Sequence, residues 1–141
     1  MTVDSGPVVV AGRAPLGPAA TAAVVRAVLR GERRAAVVSL TFVGRDRMRA
    51  LNRRFRGASR PTDVLAFALP GPGGKLAGDI YVCPWVAARE ARRYRVALRE
   101  ELVRLVVHGT LHVLGWDHPD DGSRSGSPMW RRQERYVAAL R

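Results

Sequence analysis

The chain has a single cysteine, Cys83, which excludes an intramolecular disulfide. A lone thiol fits a reducing compartment, and because Cys83 falls in an apolar run it is expected to pack in the core rather than react. Also missing are a basic N-terminal start followed by an apolar stretch, and any apolar run long enough to cross a bilayer. A cytoplasmic protein without a membrane partner is therefore expected. Lysine is almost absent: Lys75 is the one lysine among 24 basic residues. A genomic preference for arginine codons explains that choice. It does not explain 24 bases against 12 acids, a net charge of +12. Such an excess on a small domain points to a polyanionic partner, most simply nucleic acid. A membrane surface would require a basic amphipathic helix with bulky apolar anchors, and none stands out. With no internal repeat or long low-complexity segment, the 141 residues are expected to form one domain, large enough for a single core.

Hydrophobic spacing and turn residues predict the elements. Val8–Ala11 reads as a short buried strand, and Pro18 and Gly31 bracket a helix with Val24, Val25, Val28 and Leu29 as its apolar stripe. Ala35–Val43 is a second strand, parallel to the first through a right-handed crossover. Asp46–Phe55 is a helix closed by Gly57. Asp63–Leu69 and Leu76–Cys83, joined by PGPGG, form an antiparallel hairpin. Helices follow from Pro84 to about Val96 and from about Leu98 to Leu114. A polar loop, PDDGSRSG, then leads to Ser127 as N-cap of a last helix that starts at Pro128. This order predicts an α+β domain: one mixed sheet of four strands packed with about five helices.

Histidine is confined to one stretch, HGTLHVLGWDH, which holds His108, His112 and His118. On a helix, His108 and His112 lie one turn apart on one face. Gly115 can take the left-handed conformation that ends a helix and turns the chain back, bringing His118 to the same point. Three imidazoles would leave the fourth position of a tetrahedral zinc ion open, as catalytic sites do. The spacing is also that of the metzincin proteases, whose first histidine is followed by a glutamate that serves as general base. Here that residue is Gly109, which argues against a peptidase, and the missing side chain is expected to leave room for a phosphate.

HGTLHVLGWDH resembles the signature of the YbeY family of bacterial endoribonucleases. LNRRFRGASRPTDVLAF (51–67) and GDIYV (78–82) are similar to two further blocks of that family, and MWRRQE (129–134) fits its C-terminal helix. The resemblance runs from about Val37 onward. Trp116 stands where tyrosine is usual in the family, and Ala66 where serine is common. The resemblance implies a metal-dependent endoribonuclease domain over 1–141 that binds one Zn2+ through His108, His112 and His118. It further implies single-stranded RNA as substrate and action in maturation of the 16S ribosomal RNA 3′ end and in ribosome quality control. The expected partners are ribosomal RNA and small-subunit components, with no DNA. The rival reading is a non-catalytic RNA-binding ribosome-assembly factor with a structural metal; a hydrolase of small or peptide substrates is disfavoured by Gly109 and the charge.

Seven arginines crowd 45–60 against one acid, Asp46. Most suit a solvated helix face. Arg56, just before Gly57, matches the family's functional arginine, and a guanidinium there can grip two phosphate oxygens at once. It is the candidate catalytic residue, with Arg53, Arg54 and Arg60 as weaker candidates for the RNA backbone. Thr62 and Asp63 suit a local role at a strand entry. Asp117 suits either of two roles, orienting a ligand imidazole or capping the turn. Glu101 lies two turns from His108, too far for a direct role. The tryptophans suit packing, though one exposed indole could stack on a base.

Overall fold

A computed structural model describes residues 6–118 and 126–141. Val8–Ala11 (β1) and Ala36–Phe42 (β2) pair in parallel, and Pro18–Glu32 (α1) connects them. In β2 every second side chain, from Ala36 to Phe42, is buried, as a strand with one face on a core requires. Arg45–Arg56 (α2) follows, capped by Gly57 at a left-handed φ of 72°. Val64–Pro70 (β3) and Leu76–Val82 (β4) form the antiparallel hairpin, closed by a short 3-10 turn over Pro72–Gly74. The sheet order is β1-β2-β4-β3, so β4 lies parallel to β2 and inside the sheet, while β3 is an edge. That edge position is why Pro70, which has no N–H to donate, is tolerated in β3.

Pro84–Tyr94 (α3), Leu98–Val113 (α4) and Pro128–Leu140 (α5) complete the fold, which has the expected α+β architecture of five helices on a four-stranded mixed sheet. α4 is buried on nearly every side and touches β3, β4, α1, α3 and α5. Its Leu102, Val103, Leu105, Val106, Val107 and Leu111 are all buried, which makes α4 the axis of the main core. The far face of the sheet has a smaller cluster, Val43, Met48, Leu65 and Cys83, beneath α2. Burial pushes the Cys83 thiol upward in pKa, in keeping with a packing role.

Most boundaries shift by a residue or two, and one shift has a packing cause. Gly31 does not end α1; the helix runs through it to Glu32, and Arg33 takes the left-handed cap. A Cβ on Gly31 would fall 2.2 Å from the Tyr136 hydroxyl, so the glycine is there to admit α5. Close approach also explains Gly109. It is buried against the sheet, where a Cβ would meet Ile80 Cγ2 at 2.8 Å. Opposite it, a Cβ on Gly78 of β4 would meet Val113 at 2.5 Å. The two glycines let α4 lie tightly on the sheet, which replaces phosphate access as the reason for Gly109. The polar loop expected over 119–126 lies outside the described residues except for Gly126.

Candidate metal centre

His108 and His112 lie one turn apart on the last turns of α4, with ring centroids 4.6 Å apart. Gly115 then adopts a φ of +98°, and the amides of Gly115 and Trp116 bond back to His112 O and Leu111 O, both at 3.0 Å. This left-handed exit returns His118 to within 5.4 Å of His108 and 5.2 Å of His112, centroid to centroid. One ring nitrogen from each residue lies within 4.8 Å of the others, a group able to hold a metal ion. All three are half-buried. Burial first, then His118, holds the His112 imidazole below the usual histidine pKa, which favours the neutral form that can donate a lone pair.

The cluster has an inner support. Gln133 of α5 is fully buried, and its Oε1 lies 2.7 Å from His108 Nδ1. The other end of the amide, Nε2, donates to Glu134 Oε2 at 3.1 Å, which fixes Oε1 as the acceptor toward the histidine. His108 therefore carries its hydrogen on Nδ1, and Nε2 keeps a lone pair for a metal. Glu134 in turn is held by Arg104 through two 2.9 Å bonds, and Arg104 binds Glu101 at 2.9 Å. Arg104 thus joins Glu101 of α4 to Glu134 of α5.

A second knot anchors the loop that carries His118. Trp116 Nε1 and Arg132 Nε each donate to Glu32 at 2.9 Å, and the Tyr136 hydroxyl donates to the same carboxylate. Burial raises the pKa of Glu32, but the three donors outweigh it and leave a net lowering. Tyr136 is pushed up to about 12 by burial and by Glu32, so its hydroxyl stays a donor. Asp117 accepts from the His118 amide at 3.0 Å, a local bond, and its charge also acts on His112, so both expected roles stay open. Asp63 likewise accepts from the Val64 amide at 2.8 Å, a local bond.

The candidate arginines separate. Arg56 is exposed at the C-terminal end of α2, and its charge is the smallest of the influences that lower the His112 pKa. Arg53 and Arg54 line a depression along α2, and Arg60 lines a neighbouring one. Buried Asn52 fixes the turn between them by donating to Arg60 O at 2.9 Å. Gln133, Glu32 and Asn52 are site supports that sequence reasoning missed. Gln133 had left a trace: it interrupts the buried stripe Met129–Gln133–Val137 of α5 with a polar group.

A four-stranded mixed sheet, a buried axial helix ending in three converging histidines, and an arginine-rich helix on the opposite face define an α+β protein with a candidate metal centre. The family model described as Endoribonuclease YbeY matches residues 18–141, and the chain belongs to that family. The match takes in α1, upstream of the motifs that begin near Val37. Among curated relatives, an Endoribonuclease YbeY of Moorella thermoacetica is 43% identical over 116 residues, covering 74% of this chain and 73% of that protein. One of Thermotoga maritima is 39% identical over 100 residues, covering 71% of this chain. The chain spans only 65% of the length of that relative. A solution structure of a Thermotoga maritima protein superposes with a TM-score of 0.66 at 29% identity, covering 94% of this chain and 88% of the other.

Proposed function

We propose that this chain is a zinc-dependent endoribonuclease that cuts single-stranded RNA. It acts in the cytoplasm on the 16S ribosomal RNA 3′ end and in ribosome quality control, alongside small-subunit components, with residues 1–141 as one working domain. The observation that carries the proposal is the cluster of three imidazoles, with the charge of Arg56 close enough to act on His112. The family name borne by the relatives and the net charge of +12 support it.

His108, His112 and His118 would hold one Zn2+, an ion that imidazole nitrogens suit. When bound, the ion supplies Lewis acidity to the phosphate under attack. Gln133 keeps the His108 lone pair aimed inward, and the Glu32 knot holds the His118 loop against α1 and α5. Arg56 grips phosphate oxygens and stabilises charge that grows during cleavage. Arg53, Arg54 and Arg60 steer the RNA backbone. No carboxylate can serve from position 109, because that position faces Ile80 in the core.

The rival is an assembly factor whose metal only ties structure together. It draws on one observation: the histidine cluster links α4 and the following turn, while Gln133 ties that cluster to α5. Metal content and cleavage separate the two readings. Protein purified without a histidine tag should carry about one zinc per chain by mass spectrometry. Metal-depleted protein should still bind single-stranded RNA yet fail to cut it, and restored cleavage should follow zinc addition. Undiminished cutting without metal would sink the proposed mechanism.

A further inference from the structure

Two depressions run along the outer side of α2, with volumes of about 510 and 400 Å³. They share Asp46, Arg49 and Ser59, so they form one continuous groove. Arg53 and Arg54 line one end; Arg60, Arg45 and Arg89 line the other. Asp46 is the acid in its lining, and Arg45 already holds it at 3.2 Å. No histidine lines either depression.

The groove ends at Trp85, in the first turn of α3. This indole is 40% exposed, and the guanidinium carbons of Arg45 and Arg89 lie 5.3 and 4.8 Å from its ring centroid. A single exposed apolar residue is ordinary. An exposed indole flanked by two arginines, at the end of a cationic groove, is a specific arrangement. Arg45, Arg49 and Arg53 follow at four-residue intervals, so α2 sets them on one face about 6 Å apart along its axis. A row of that kind tracks a chain of phosphates. The indole offers what phosphate recognition alone does not use, a flat surface on which any base can stack.

We propose that this groove, which includes the arginines given above to the RNA backbone, is a holding site set apart from the histidine cluster, where single-stranded RNA is bound without being cut. Phosphates lie along Arg49, Arg53 and Arg60, and one base stacks on Trp85 in place of one of its arginines, which is freed to meet a neighbouring phosphate. A duplex is excluded because its bases are already stacked on each other and are not free to be splayed onto a side chain. The identity of the strand as RNA rests on the enzymatic reading above; the stacking and phosphate contacts rest on the groove itself.

The test uses the full chain and a labelled 2′-O-methyl RNA strand of about 12 nucleotides, beside an abasic strand of equal length. Trp85→Ala should weaken binding of the normal strand about tenfold, with most of it restored in Trp85→Phe, and should leave the abasic strand within about twofold. Arg49→Ala should reduce the salt dependence of log affinity by about 0.7. Equal affinity of Trp85→Ala and wild type for the normal strand, or an equal loss on the abasic strand, would overturn the site. The two readings also fail separately. RNA cleavage by wild type with no Trp85 effect removes the groove and leaves the enzyme. A Trp85 effect without any cleavage removes the enzyme and leaves the groove.

Discussion

Helices α4 and α2 carry the two halves of the proposed chemistry on opposite faces of one sheet, and they are built in opposite ways. α4 is buried, packed on the strands through Gly109 and Gly78, with His108 tied to Gln133 and the following loop, which carries His118, held by the Glu32 knot. α2 rests on a small cluster that includes Met48, and most of its arginines lie in solvent. A metal site needs donor atoms held to a fraction of an ångström, so its side chains are locked by packing and hydrogen bonds. Phosphate contacts are strong at several geometries and gain from reach. Rigidity therefore went to the histidines and reach to the arginines.

Introducing a charge on the rigid side should have the largest effect. Gly109→Glu places a carboxylate against Ile80 with no partner, and should lower unfolding free energy by several kcal/mol, on the order of 3–5. Urea denaturation is the check, and wild-type stability would show that α4 can lift from the sheet. In His112→Ala the fold should survive while tight zinc binding is lost, a larger drop than the roughly 10- to 100-fold seen for supporting residues. The melting temperature in excess zinc should fall with it, since metal binds only the folded state. Unchanged zinc content and melting temperature would remove His112 from the ligand set.

Changing the exposed side should alter chemistry without altering stability. Arg56→Ala should slow single-turnover cleavage by roughly 100-fold or more while RNA affinity changes far less. Arg56→Lys should recover little, because an ammonium lacks the planar two-point grip. Arg53→Ala should weaken affinity only a few-fold. If Arg53→Ala slows bound-RNA cleavage and Arg56→Ala does not, the roles assigned to them are reversed.

Two smaller effects return to the rigid side. Gln133→Leu removes the acceptor of His108 Nδ1, and zinc affinity should fall about tenfold, the low end for a ligand's hydrogen-bond partner. An unchanged affinity would mean that the tautomer is set by something else. Glu32 has a folded pKa below its unfolded value, so its contribution is fully present above the unfolded carboxylate range and is lost as pH falls through the folded pKa. Glu32→Gln should therefore cost about 1 kcal/mol at neutral pH and flatten the acid limb of the stability curve. A wild-type acid limb in the variant would show that the carboxylate is not stabilised by folding.

Much of this was legible in the residues because it depends on near neighbours. The four-residue spacing of His108 and His112, the glycine that turns the chain at 115, the Ser127 cap and the hairpin each follow from a few adjacent positions. The convergence of three histidines was legible for the same reason. Packing decided the rest. Glu32 meets Trp116 and Tyr136 across 84 and 104 residues, and Gln133 meets His108 across 25. Gly31 looks like a helix end until Tyr136 comes to lie on it. The place of β4 between β2 and β3 and the arginines that line the groove likewise depend on which surfaces come together. Local sequence sets backbone conformation and the spacing of side chains along one element. The contacts between elements are chosen by burial and close fit across the whole core, and only the folded chain carries that information.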